Sequence, residues 1–119
     1  MIGTLRAFAL DCPEPLALAA FYAELVGGKV DAEDHEWVEL VGDHGTKLAF
    51  QLVEDFRAPA WPAQDVPQQA HIDIGVTDID AAHTQVLALG ATLLEDWGGT
   101  KSWRVYADPV GHPFCLCAC

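Results

Sequence analysis

The chain carries one unit twice, and that repeat constrains its fold more than any other feature. Residues 5–27 read LRAFALDCPEPLALAAFYAELVG, and residues 69–90 read QAHIDIGVTDIDAAHTQVLALG. In each, an alternating apolar strand enters a turn with an acidic residue, and a helical stretch closed by glycine follows. Aligning Glu14 with Asp78 gives a shift of 64 residues, which lays Phe8 on Ile72, Leu10 on Ile74 and Leu18 on Ala82. More strands follow each helix. Two βαβββ units in 119 residues predict a pseudo-symmetric α+β fold. In it, two tandem modules form a cupped mixed sheet with the helices on its outer face. Function is then to be sought among residues facing the cup.

Within the first module, residues 1–54, the alternation over 4–12 predicts a strand with Phe8, Leu10 and Cys12 on one face and Ala7, Ala9 and Asp11 on the other. Pro13 and Pro15 suit a helix start. Leu18, Phe21, Tyr22 and Leu25 then repeat at helical spacing, and Gly27-Gly28 ends the helix. Strands are predicted at 29–32, 36–41 and 47–53, the last two joined by a hairpin at Asp43-His44-Gly45. Residues 55–67 are proline-rich and aperiodic and read as a linker. The second module, 68–119, repeats the pattern with a strand at 70–76 and a helix capped by Thr77 or Asp78. Ile79, Ala82, Val86 and Leu89 form its buried stripe, and Gly90 its end. Three strands at 92–96, 103–107 and 114–118 complete it, with a turn at Asp108-Pro109-Val110-Gly111.

Charge excludes whole classes of partner. Six basic against eighteen acidic side chains leave a formal net charge of −12, a field that repels nucleic-acid phosphates and anionic lipid and favours cationic ligands. No apolar run approaches membrane-spanning length, so a soluble cytoplasmic protein is expected. Cysteines are expected to be reduced in that compartment. Cys115, Cys117 and Cys119 alternate, which is not the C-x-x-C spacing of a zinc knuckle. No G-x-S-x-G elbow and no glycine-rich phosphate loop is present.

Four stretches together make the chain resemble the vicinal oxygen chelate superfamily, in its glyoxalase-like and bleomycin resistance protein-like branch. They are LDCPEPLALAAFYAELVGG, LAFQLVEDFRAPAWP, VPQQAHIDIGVTDIDAAHTQVLALGATLL and WRVYADPVGHPFCLC. The resemblance implies the cupped fold, a homodimer, and a cup in which metal-dependent relatives hold a divalent ion with ligands from the first and last strands of a module. Those positions fall here on Ala7 and His71 for the first strands and on Cys115 for the last strand of the second module. The first-module mate of Cys115 lies near Ala49, with Gln51 two residues on. Alanine cannot ligate, so the usual triad is degraded and no metal is expected. A soft zinc-type site built from His71, Cys115 and Cys117 is the exception to that expectation.

Two readings of His71 stand side by side: with Asp73 on the same face it makes a general-base pair, or it is a core histidine satisfied by its neighbours. His35, His44, His83 and His112 read as structural or solvated. Trp37, Phe50, Trp61 and Trp103 are candidate walls of a ligand pocket, with Gln51, Gln68 and Arg104 as its polar groups. The APAWP segment reads as a rim across the cup. The function expected is binding of a small organic ligand, with lyase or isomerase chemistry left open. The alternative is non-catalytic sequestration of a cationic compound in the manner of bleomycin resistance proteins.

Overall fold

The structure, a computed structural model, describes residues 1–42, 45 and 47–118. Asp43 and His44 of the expected hairpin, Thr46 beside it, and Cys119 lie outside the described residues. The chain divides into two compact units, Met1–Phe56 and Arg57–Cys119. Most of the stretch read as a linker thus lies within the second unit.

The first unit runs β1 (Phe8–Cys12), α1 (Pro15–Val26), β2 (Lys29–Asp34), β3 (Trp37–Val41) and β4 (Leu48–Leu52). Its sheet has the order β1-β4-β3-β2, with β1 parallel to β4 and the other pairs antiparallel. Pro15 opens α1, where its missing N–H costs nothing, and Gly27 ends it at φ +78, a conformation that a side chain resists. Leu18, Phe21 and Tyr22 press onto one face of the sheet, where Val38, Leu40 and Phe50 are fully or almost fully buried. Tyr22 stacks on Phe50 with ring centroids 5.6 Å apart. Each such side chain taken from water contributes roughly 1.5–3 kcal/mol.

The second unit repeats that plan with β5 (Ile72–Gly75), α2 (Ile79–Ala88), β6 (Thr92–Glu95), β7 (Trp103–Ala107) and β8 (Pro113–Cys117), in the order β5-β8-β7-β6. Asp78 caps α2 by accepting from the Ala81 amide at 3.1 Å. Ala82 and Val86 cover Phe114 and Leu116, and Tyr106 stacks on Phe114 at 5.5 Å. An aromatic pair thus lies in the core of each unit, one between α1 and β4 and the other between β7 and β8.

The β7–β8 turn is tied by the buried Asp108, whose Oδ1 accepts from the amides of Val110, Gly111 and His112 at 3.0 Å each. At Gly111, φ is +104, and a Cβ there would stand 2.7 Å from that of Ala58. Glycine lets the 57–67 segment lie against the turn. That segment is itself folded: the Ala60 amide donates to the Val66 carbonyl at 2.8 Å, across a turn that contains the cis Trp61–Pro62 bond.

Register shows the repeat residue by residue. Ala9 stands opposite Ala49 in the first sheet, and Asp73 opposite Cys115 in the second. Trp37 pairs with Gln51, and Trp103 with Cys117. Two residues before Ala9 and Asp73 come Ala7 and His71. The expected match of Cys115 to Ala49 is therefore met in the strand pairing.

Differences from expectation sit at the element ends. The first strand begins at Phe8 rather than residue 4, because Met1–Leu5 find nothing to pack on and stay exposed. Between β6 and β7, where Gly98-Gly99-Thr100 reads as a turn, the chain makes a short 3₁₀ turn over Trp97–Gly99; Asp96 accepts from the Gly98 amide at 2.9 Å, and Glu95 from that of Trp97 at 2.9 Å.

Candidate functional site

Because side chains alternate across a strand, the second sheet has one face under α2 and one without a helix. Ile72, Ile74, Arg104, Tyr106, Phe114 and Leu116 point to α2. His71, Asp73, Trp103, Val105, Cys115 and Cys117 take the other parity. On that open face a cavity of about 260 Å³ is lined by His71, Asp73, Trp103, Cys115 and Cys117. Two larger hollows, of about 620 and 490 Å³, lie in the first unit along β2 and beside α1. They are shallow clefts, and neither gathers a comparable set of reactive groups.

Asp73 is the hub of the cavity. His71 Nε2 lies 3.2 Å from Asp73 Oδ1, and both side chains reach solvent. The Cys115 thiol is buried, and burial is the main reason that its pKa is pushed up to about 11; the charge of Asp73 and a hydrogen bond to it push the same way. Cys115 is therefore a protonated donor to Asp73 at neutral pH and a poor nucleophile. Cys12 and Cys115 are free thiols. Cys117 is held in a disulfide, against the expectation that it is reduced, which takes it out of the candidate metal set.

Trp103 forms the aromatic wall and keeps 38% of its surface exposed. Trp97 braces it edge-on, with centroids 5.5 Å apart, and Lys101 Nζ sits 5.6 Å from its ring centroid. A cation thus already uses this ring. Neither Trp97 nor Lys101 was singled out from the sequence, although the bend signal of Gly98-Gly99 would have placed both beside Trp103.

Two candidates are corrected by strand parity. Phe50 is fully buried against Tyr22 beneath α1 and has no surface for a ligand. Arg104 lies on the helix-covered face, where its Nη2 donates to Asp80 Oδ1 at 2.6 Å, and this bond to the carboxylate raises its pKa. It binds α2 to the sheet. Trp37 and Gln51 do lie on the open face of the first sheet. Trp37 Nε1 donates to Glu39 Oε2 at 3.2 Å, and Lys47 Nζ to Glu39 Oε1 at 3.4 Å, which with Trp37 foremost hold the Glu39 carboxyl below its usual range. Trp61 and Gln68 are half-buried and are not among the residues lining the His71 cavity. Gln68 Oε1 is buried without a hydrogen-bond partner among the described residues. His83, read as structural, meets the Tyr106 hydroxyl at 2.8 Å.

The donor atoms of His71, Asp73 and Cys115 all lie within 4.8 Å of one another. A four-coordinate ion with bonds of about 2.0–2.3 Å sets its ligands roughly 3.3–3.8 Å apart, so small side-chain adjustments would suffice. Nitrogen, oxygen and sulfur donors suit zinc-like ions over magnesium or calcium. The matching positions of the first sheet, Ala7, Ala9 and Ala49, supply no donor.

Paired βαβββ modules, each with a helix-free sheet face, define the architecture of the vicinal oxygen chelate superfamily. The family model of the glyoxalase-like domain matches residues 7–117, and the chain belongs to that family. No curated protein matches the sequence. Among solved structures, a glyoxalase/bleomycin resistance protein/dioxygenase family enzyme from Burkholderia phytofirmans is similar at a TM-score of 0.73 and 15% identity, covering 96% of this chain and 97% of that one. A glyoxalase family protein from Enterococcus faecalis is similar at 0.64 and 22% identity, covering 98% of each. The bleomycin-binding protein from Streptomyces verticillus, complexed with copper(II)-bleomycin, is similar at 0.59 and 19% identity, covering 100% of this chain and 99% of that one. At these identities the likeness is one of fold. Among the described residues no helix is long and apolar enough to cross a membrane.

Proposed function

We propose that this protein binds a small organic cation on the open face of the β5-β8-β7-β6 sheet. The observation that carries this reading is the pairing, in one cavity, of a partly exposed tryptophan with an exposed carboxylate, Trp103 with Asp73. A flat π-face and a fixed negative charge are the two groups that recognise an aromatic or guanidinium-type cation. The net charge of −12 adds a long-range field of the same sign. That a similar fold binds copper(II)-bleomycin in Streptomyces verticillus supports sequestration of such a compound as the form that this binding takes.

Titration of metal-free bleomycin and of small aromatic amidines into the chelator-treated protein, followed by tryptophan fluorescence and calorimetry, tests it. Saturable binding at low salt that Trp103→Ala and Asp73→Asn each weaken is expected. If no cation binds, or binding survives both substitutions, the reading fails.

A second reading rests on the 3.2 Å contact between His71 and Asp73. Asp73 would hold the imidazole while His71 takes a proton from a carbon acid bound against Trp103, in isomerase or lyase chemistry. Deuterium exchange into α-hydroxyketones, lost in His71→Ala, checks it.

A further inference from the structure

One residue of the second unit stands in a backbone conformation that its own side chain resists. Trp97, two residues beyond β6, has φ +50 and is the one non-glycine with a positive φ among the described residues. Gly98 and Gly99 follow at φ +64 and +80. Three consecutive residues thus take the left-handed region, two of them at no steric cost. Local bonds hold the turn. Glu95 Oε2 accepts from the amides of Asp96 and Trp97 at 3.1 and 2.9 Å, and Asp96 Oδ1 from that of Gly98 at 2.9 Å. The Thr100 hydroxyl donates to the Trp97 carbonyl at 2.8 Å. None of these bonds uses the indole, so glycine at position 97 would make the same turn without strain.

Strain of this kind persists where surrounding contacts over-determine it, and such residues gather at ligand sites. The contact that requires a side chain here is the one with Trp103: ring centroids 5.5 Å apart and planes at 62°, an edge-on arrangement that aromatic pairs favour. Trp103 lines the His71 cavity and Trp97 does not. The bearing of Trp97 on the cavity therefore runs through the Trp103 ring.

We propose that Trp97 is a positioning residue for the organic-cation site: its strained turn sets the indole edge-on to Trp103 and fixes that ring before a ligand arrives. The inference rests on the reading of Trp103 as the wall that a cation meets. A wall free to rotate would lose that freedom on binding and weaken the complex, whereas one already held loses little.

Calorimetric titration of benzamidine, in the presence of chelator, into the wild-type protein and into Trp97→Ala, Trp97→Gly and Trp97→Phe tests it. Trp97→Ala should weaken binding roughly 3- to 10-fold, the range that ordering one side chain implies. Trp97→Phe should stay within about 2-fold of wild type, because a phenyl edge makes the same contact. Trp97→Gly should unfold at higher urea than Trp97→Ala, since glycine relieves the left-handed backbone, yet bind no better. Without ligand, circular dichroism of the wild type in the far ultraviolet should show an exciton couplet from the two close indoles, removed by Trp97→Phe and by Trp103→Phe alike. A wild type that binds no benzamidine removes the cation reading and this inference with it. Where the wild type binds, the positioning role alone falls, and the cation site stands, on any of three results: undiminished affinity in Trp97→Ala, affinity that follows stability from Ala to Gly, or no couplet.

Discussion

At the residue scale, Cys115 is the side chain whose chemistry is most altered by its surroundings. Its pKa of about 11, against an ordinary 9.0, means that folding holds the thiol neutral where the unfolded chain would ionise it. A folded-state pKa raised in this way contributes stability below the unfolded value that is lost as the pH climbs through the folded one. Between pH 9 and about 11 the protein should lose on the order of 2–3 kcal/mol, and Cys115→Ala should flatten that part of the curve in urea titrations. Alkylation reads the same shift at lower pH. Asp73→Asn removes the repelling charge, so Cys115 should react roughly 3- to 10-fold faster with iodoacetamide at pH 8, scored on its own peptide by mass spectrometry. An unchanged rate would leave burial as the whole cause. His71 and Asp73 were legible as a pair in the sequence because alternation puts residues two apart on one face. The same parity would have excluded Phe50 and Arg104, each one residue away from an open-face position. Phe50 and Arg104 have the size and polarity of ligand-binding side chains, but the alternation sets both on the helix-covered faces.

At the scale of elements, helices and strands were legible because each carries its own signal: Pro15 and Asp78 at the helix starts, and period-two apolar runs in the strands. The 57–67 segment was not, since proline and aperiodicity look alike in a tether and in a folded turn. What settles its place is the contact of Ala58 with the β7–β8 turn. Gly111→Ala should destabilise the protein by about 1–3 kcal/mol, because the added methyl meets Ala58 at 2.7 Å and the backbone stands at φ +104. Adding Ala58→Gly should restore part of that loss by relieving the clash while the backbone strain remains. A double-mutant cycle by urea unfolding measures the shared part. Purely additive effects would mean that the two residues do not meet.

Across the whole molecule the acidic excess was plain from composition, but its bearing on the site depends on which few charges stand near Trp103. Lys101 is one of them, and it already lies against the ring. Its removal should strengthen binding of an organic cation roughly 2- to 5-fold, by freeing the ring face from a contact of about 0.5–1 kcal/mol. Binding to the wild-type chain should weaken as salt is raised from 10 mM to 300 mM, because screening shortens the reach of the acidic field. Calorimetry at two salt concentrations with both proteins checks this. Salt-independent affinity would assign the binding to the cavity walls alone.

The matched strand registers give the molecule a blank copy of its own site. Ala7, Ala9 and Ala49 hold the backbone positions of His71, Asp73 and Cys115 with the chemistry removed. Signals from the two halves of one polypeptide, recorded in the same tube at the same concentration, can therefore be subtracted from each other. Whatever a ligand does to the β1–β4 strands is the background of the scaffold, and only the excess on β5 and β8 belongs to the reactive side chains.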